Sequence, residues 1–261
     1  MNINTNNKNI IIFVSSAICF DIYSKFTYGN SEVCRTKFNY TRRFLQTKNT
    51  IKNLKFFFPS ADIIILDCGV PKKEIKDYFN SIKQTEIVFL KDIDEASYIK
   101  NNEATQKGFC EANLTLAFLD FFKDRIQSAD YLLKISGRYF INNVRKNITF
   151  KDKNTILTKM TYKWPFDDFS HHGIYPQQFN INNKLHYTLT GFYGVSTDIL
   201  SLFETSMFNI RKFYENDNYS VDFEVLFHYN IIHKLKGKVN HKLLDIWIEG
   251  ITSAEGEHTV Y

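Results

Sequence analysis

The chain has 261 residues, of which 44% are hydrophobic, and a formal net charge of +5 at pH 7. That length gives one large α/β domain or two small ones, and the apolar content is ample for a core, which excludes a disordered chain. The positive charge suits an anionic partner such as a nucleotide, a lipid surface or a nucleic acid, without choosing among them.

Residues Met1 to Asn9 are polar, and the apolar run Ile10 to Val14 is too short for a signal-peptide core or a membrane span. A cytoplasmic protein is expected, with contact at a membrane surface left open. That run, ending in Ser15 and Ser16, reads as a fully buried strand delivering its polar end to a loop. Phe20 to Asn39 has no clear period and reads as a loop with short helix. Tyr40 to Phe58 places Phe44, Ile51, Leu54 and Phe58 at helical spacing, with Thr41 as candidate N-cap and Pro59 as the stop. Ala61 to Leu66 is a second buried strand ending at Asp67, so a parallel strand-helix-strand unit opens the chain. Pro71 to Ile82 reads as a short helix, Thr85 to Leu90 as a third strand, and Gly108 to Ile126 as an apolar helix. Cys19, Cys34, Cys68 and Cys110 include no close-set pair of the kind a zinc or redox site uses, so reduced structural thiols are expected.

Next comes Asp130-Tyr-Leu-Leu-Lys-Ile-Ser-Gly-Arg-Tyr-Phe140, an apolar strand running into Lys134, Ser136, Gly137 and Arg138. A strand end in Ser-Gly brings backbone close to a ligand, and the two cations favour an anion, phosphate first. The plain alternative is a turn glycine between solvated cations. Beyond it the pattern changes. Thr155 to Met160 and Tyr187 to Val195 read as strands around a long loop, Trp164 to Asn183, that carries Asp167, Asp168, His171 and His172. A short helix runs through Glu204, a longer one spans Asp222 to Leu235, and Leu243 to Ile248 is the last strand. Alternating strands and helices in the first half predict an α/β fold with a mostly parallel central sheet flanked by helices. With no linker or repeat, a single domain is expected, its nucleotide half at residues 1–150 and its acceptor half at 151–261.

At this point the residues carry a resemblance. Arg43-Phe-Leu-Gln46-Thr47-x-x-Thr50-Ile51, Phe58-Pro59-x-Ala61, the Lys107-Gly108-x-x-Glu111 helix start, the Lys-x-Ser-Gly-Arg-Tyr strand end, Thr190-Gly191-Phe192 and the late Glu224 together resemble bacterial and viral glycosyltransferase-like proteins of surface-glycan biosynthesis. Such proteins are similar to GT-A enzymes. The resemblance implies a GT-A-like fold and transfer of a sugar, of the hexosyl type, from a nucleotide-sugar donor to a carbohydrate or lipid-linked acceptor. The alternative is an inactive relative that binds nucleotide sugar or glycan without turnover.

Departure of a nucleoside diphosphate builds negative charge that cations or a divalent metal must meet. Where metal-dependent GT-A enzymes carry an Asp-x-Asp pair, this chain has Lys134-Ile-Ser136-Gly137-Arg138, and two cations repel Mg²⁺ or Mn²⁺. No metal is therefore required on this reading, with Mg²⁺ or Mn²⁺ as the alternative. The literal match, Asp92-Ile-Asp94, follows the third strand, one element too early, and reads as solvated surface. Donor contacts are expected from Ser15, Ser16, Arg43, Asp67, Lys107, Gly108, Lys134, Ser136, Gly137 and Arg138. Glu224 is the first choice for a catalytic carboxylate and Asp222 the second, beside Arg138 at the leaving group; helix capping is the competing role for both acids. Asp168, His171, His172 and Thr190 are the candidate acceptor contacts. A nucleic-acid module is disfavoured because acids are interspersed with the cations along the chain, and a Rossmann dehydrogenase because no Gly-x-Gly-x-x-Gly follows the first strand.

Overall fold

The structure, a computed structural model, describes residues 3–4, 8–19, 25–28, 31–34, 38–93, 107–144, 148–159, 161–166, 175–216, 221–251 and 258–260. Its centre is a seven-stranded sheet. In chain order the strands are β1 (Ile10–Ser16), β2 (Asp62–Asp67), β3 (Thr85–Phe89), β4 (Tyr131–Ser136), β5 (Thr155–Thr158), β6 (Phe192–Ser196) and β7 (Asn240–Leu243). Across the sheet the order is β7-β5-β6-β4-β1-β2-β3. Neighbours are parallel except where β6 meets β4 and β5, so β6 alone runs in reverse. The expected mostly parallel α/β sheet flanked by helices is what the structure shows, and strands from both halves of the sequence enter it.

Burial on both faces explains why β1 and β2 read as largely apolar runs. Ile11 and Phe13 of β1, with Ile64 and Leu66 of β2, face one core together with the helices α3 (Lys107–Phe121) and α4 (Leu200–Asn216). Phe13 stacks on Phe118 with ring centroids 4.1 Å apart. The alternate residues Ile10, Ile12, Val14, Ile63 and Ile65 face a second core against α1 (Tyr40–Phe57) and α2 (Lys73–Asn80). A short helix, α5 (Phe223–Phe227), completes the first core and continues as a π-helical turn, His228–His233.

Several expected boundaries shift. Asn39, not Thr41, caps α1, its side chain accepting from Arg42 N at 3.0 Å. The supposed loop before α1 contains a hairpin, Lys25–Tyr28 with Ser31–Cys34. Gly108 to Ile126 is two helices, because Phe122 leaves the helical region at φ −113° and the chain restarts at Lys123–Gln127. Tyr187 to Val195 is likewise two strands: Lys184–Thr188 pairs with Thr161–Pro165, the two flanking the expected long loop, and β6 starts afresh after Gly191. Leu243 to Ile248 spans the end of β7 and the start of Ile246–Ile251. The helix expected to stop near Glu204 runs on to Asn216, and the Asp222 helix loses its α period where Asn230 Nδ2 bonds Leu226 O at 3.0 Å. Among the described residues no helix is long and apolar enough to cross a membrane.

One side chain fixes α1 against the chain that leaves β4. Asn53 donates to Ile141 O and accepts from Ile141 N, both at 2.8 Å, satisfying a backbone pair on the strand Tyr139–Val144. Ile141 is fully buried, so its peptide groups have no water to turn to. Asn53→Ala is expected to cost about 1–3 kcal/mol of unfolding free energy in a urea titration. A loss indistinguishable from that of an exposed Asn49→Ala control would contradict this anchoring.

Candidate functional site

Strand order locates the crevice. From β1 the chain adds β2 and β3 on one side, then returns to place β4 on the other, so the order reverses between β1 and β4. Carboxyl ends of strands at such a reversal open onto a crevice where ligands of α/β proteins bind. Ser15 and Ser16 end β1, Asp67 ends β2 and Ser136 ends β4. Because β6 runs backwards, its entry, Thr190-Gly191, reaches the same edge, with Ser136 N donating to Gly191 O at 3.2 Å.

The chain reverses at Gly137-Arg138. Gly137 N donates to Ser15 O and Arg138 N to Ser136 O, both at 2.8 Å. A Cβ on Gly137 would stand 3.2 Å from both Ser16 Oγ and Thr47 Oγ1, so the turn, the end of β1 and α1 meet at this glycine. Tyr139 is buried beyond it, and a side chain at Gly250 would collide with its ring. The turn is thus held on both flanks.

Arg43, from the first turns of α1, and Arg138, from the turn, share this corner. Each keeps Nε shut from solvent without a hydrogen-bond partner, as does Gln46 Oε1 one helical turn along. No ion pair joins either arginine to a described carboxylate. Burial, and then the neighbouring Arg138, pushes the Arg43 guanidinium down to about 10. Two arginines sharing a corner, with buried donors unspent, have the chemistry to hold an anion.

Two of the expected donor contacts, Lys134 and Asp67, have partners within the protein. Lys134 is 1% exposed and turned inward: Nζ pairs with Glu111 Oε1 and donates to Ser136 Oγ at 3.3 Å and Thr190 O at 3.0 Å. Its three N–H groups are engaged by the protein, so Lys134 ties β4, α3 and the entry to β6 together. Asp67, fully buried, accepts from Ile18 N at 2.8 Å and Gly69 N at 2.7 Å, fastening the loop after β1 to the end of β2. Burial raises its pKa, and those bonds with Ser16 and Arg43 oppose the rise.

Carboxylates gather on the far side of Lys134. Thr190 Oγ1 donates to Glu224 Oε1 at 2.9 Å, and Tyr175 OH to Asp222 Oδ2 at 3.2 Å. Asp222 stands at the N-cap position of α5 yet makes no side-chain cap bond, so capping does not account for its carboxylate. The Tyr214 hydroxyl donates to Val221 O at 2.8 Å; burial, then Glu224, Asp222, Tyr175 and Glu111, raises its pKa well above the ordinary value. Tyr214 also lies where a Cβ on Gly108 would be, which accounts for that glycine without an anion. Glu111, Asp222 and Glu224, distant in sequence, therefore come together beside Thr190.

Lys107 belongs to α3, but its side chain lies outside the described residues, as do Asp94, Asp168, His171 and His172. Asp92 pairs with Lys76 at 3.4 Å on the surface. No group of three or more His, Cys, Asp or Glu among the described residues could hold a metal ion. Thr47, Asn53, Tyr175 and Tyr214 were not picked out as site residues. The first two had a signal in the sequence, since Arg43, Gln46 or Thr47, Thr50 and Asn53 recur at helical spacing on one polar stripe.

No family model matches the sequence, and no curated protein matches it. Among solved structures, a glycosyltransferase involved in the glycosylation of the major capsid of PBCV-1 is similar over 91% of this chain and 82% of that chain, with a TM-score of 0.42 and 10% identity. Nothing about the reaction follows from so loose a likeness.

Two stability measurements check the site's framework. Lys134→Met removes the buried ammonium that Glu111 meets and is expected to cost roughly 3 kcal/mol, most of it recovered by adding Glu111→Gln; purely additive losses in the double variant would break the assignment. His228, whose Nδ1 meets Thr188 Oγ1 at 2.9 Å two residues before Thr190, is held down to about 3 by burial and the nearby His186. Its folded pKa lies below its unfolded value near 6.5. Its contribution is therefore intact above about pH 6.5 and lost as pH falls towards 3, because the unfolded chain takes the proton first. Urea titrations across that window should show a shallower decline for His228→Gln than for the parent protein.

Proposed function

We propose that the chain is a glycosyltransferase of GT-A-like architecture that takes a sugar from a nucleotide-sugar donor to a carbohydrate or lipid-linked acceptor. The observation that carries this is the pair Arg43 and Arg138, unspent donors without a described carboxylate partner, at the reversal of strand order. A diphosphate placed there would receive charge-assisted bonds from both guanidiniums, and the same bonds strengthen as the leaving oxygen gains charge. The Ser-Gly-Arg-Tyr strand end, through its resemblance to surface-glycan glycosyltransferases, supports the reading from the sequence side.

The acid cluster supplies the second half of the chemistry. Glu224, oriented by Thr190, is the group assigned to the acceptor hydroxyl, either taking its proton or stabilising a positive anomeric centre; Asp222 stands behind it. Ser15, Ser16, Ser136 and Gly137 line the crevice between the poles, and Asp168, His171, His172 and Thr190 remain the proposed acceptor contacts. Lys107 and Gly108 are retained only as the approach to Glu111. With two arginines at the phosphate end, no divalent metal is needed to hold the leaving group. Mg²⁺ or Mn²⁺ would have to be recruited by the donor itself.

Nucleoside diphosphates and their sugars, screened by thermal shift, should raise the melting temperature of the wild-type protein, because they bind only the folded state. Arg138→Ala is expected to abolish that shift and to lower donor turnover by about two to three powers of ten, while its circular dichroism stays unchanged. Turnover should survive EDTA. Wild-type turnover in the Arg138 variant would remove the phosphate seat; loss in EDTA restored by Mn²⁺ would return the leaving-group role to a metal. Binding without hydrolysis or transfer of any donor would instead identify a nucleotide-sugar-binding protein.

A further inference from the structure

The outer face of α1 carries a pattern that the crevice does not use. This helix, Tyr40–Phe57, contains Arg42, Arg43, Lys48, Lys52 and Lys55 and no acidic residue. Its solvent-facing line is Arg42, Leu45, Asn49, Lys52 and Phe56, each exposed and separated by alternating steps of three and four residues, so they form one straight stripe. Leu45 is 57% exposed and Phe56 78%. Phe56 packs edge-on against Phe57, giving the stripe an aromatic tip.

Part of the positive charge has a local explanation. Lys55 donates to Ala61 O and Gln84 O, both at 3.0 Å, at the helix C-terminus, and Lys48 lies over the Tyr78 ring at 4.1 Å. Arg43 belongs to the crevice. Among the described residues Arg42 and Lys52 have no such duty, and Lys83 adds positive potential beside Lys55. Of the nearby acids, Glu74 accepts from Tyr40 OH at the helix start, and Asp62 is paired with Arg125.

We propose that this stripe is a docking face for an anionic lipid surface. A bilayer takes all the chemistry of the stripe at once: headgroups meet Arg42 and Lys52, while Leu45 and Phe56 enter the headgroup–acyl boundary. A nucleic acid would satisfy the cations and leave both apolar side chains in water. The opposite face of α1 bears Arg43 and Thr47 of the crevice, so docking would hold the crevice beside the membrane plane. The inference stands on the surface of α1 and is independent of the reaction proposed above.

Co-sedimentation of the full chain with vesicles tests it. The protein should pellet with phosphatidylcholine mixed with phosphatidylglycerol and stay in solution with phosphatidylcholine alone, and raised salt should release it. Arg42→Glu with Lys52→Glu should lower the partition coefficient by at least about tenfold, whereas Lys184→Glu with Lys212→Glu, an equal change in net charge elsewhere, should leave most binding in place. Phe56→Ser should weaken binding without changing its dependence on salt. These positions are exposed, so unchanged melting temperatures are expected in all variants. Equal losses in the two charge variants would reduce the effect to net charge and overturn the assignment, as would absence of vesicle binding by the parent protein or binding to heparin alone.

Discussion

The arrangement at the sheet edge depends on a buried ammonium. Lys134 sits near the end of a central parallel strand, where an unpaired charge would be prohibitively unfavourable, and the surrounding chain is arranged to prevent that. Glu111 on α3 neutralises it, Ser136 takes a second proton, and the Thr190 carbonyl takes the third. Those three partners come from a helix, the same strand and the entry to the reversed strand β6. A single residue therefore fixes the relative placement of three elements and, through the Thr190 hydroxyl, of Glu224.

Charge is segregated around that point. Arg43 and Arg138 lie on the α1 side, Glu111, Asp222 and Glu224 on the α3 and α5 side, and Lys134 stands between them with its charge already spent on Glu111. Had Lys134 pointed into the crevice, the acids beside Thr190 would lack their buried counter-charge. Turned inward, it leaves the two arginines as the cations available to a ligand among the described residues at this corner.

Much of the fold was legible because buried parallel strands announce themselves. Ile10 to Val14, Ala61 to Leu66 and Tyr131 to Ile135 are apolar runs with polar termini, and the polar termini Ser15, Ser16 and Ser136 mark the crevice directly. The second half is harder because its elements are short or irregular: a reversed strand beginning at Phe192, a helix shifting to π geometry at His228, and a pair of five-residue strands at the two ends of a long loop. None of these has a sustained period. The same limit governed the site. Arg138 is visible as a cation beside a strand end and Arg43 as one on the first helix, whereas the inward turn of Lys134 and the structural use of Asp67 depend on three-dimensional partners that no local pattern encodes. Glu111 reads in the sequence as part of a helix start, and its contact with Lys134 likewise depends on the fold.

The unspent arginines also bear on energetics. Two guanidiniums in one corner repel, and buried Nε groups without partners forfeit hydration, so this corner carries an electrostatic cost that a neutral one would not. Such a cost persists in a fold only where surrounding structure enforces it, and here Gly137, Tyr139 and the Asn53 clamp hold the turn and α1 in place regardless of occupancy. An anion entering the corner would therefore find its donors already aligned, with little side-chain ordering left to oppose binding. Preorganisation of this kind would favour the more highly charged state of an anion, and in the reaction proposed above it would link the repulsion between Arg43 and Arg138 to stabilisation of a departing diphosphate.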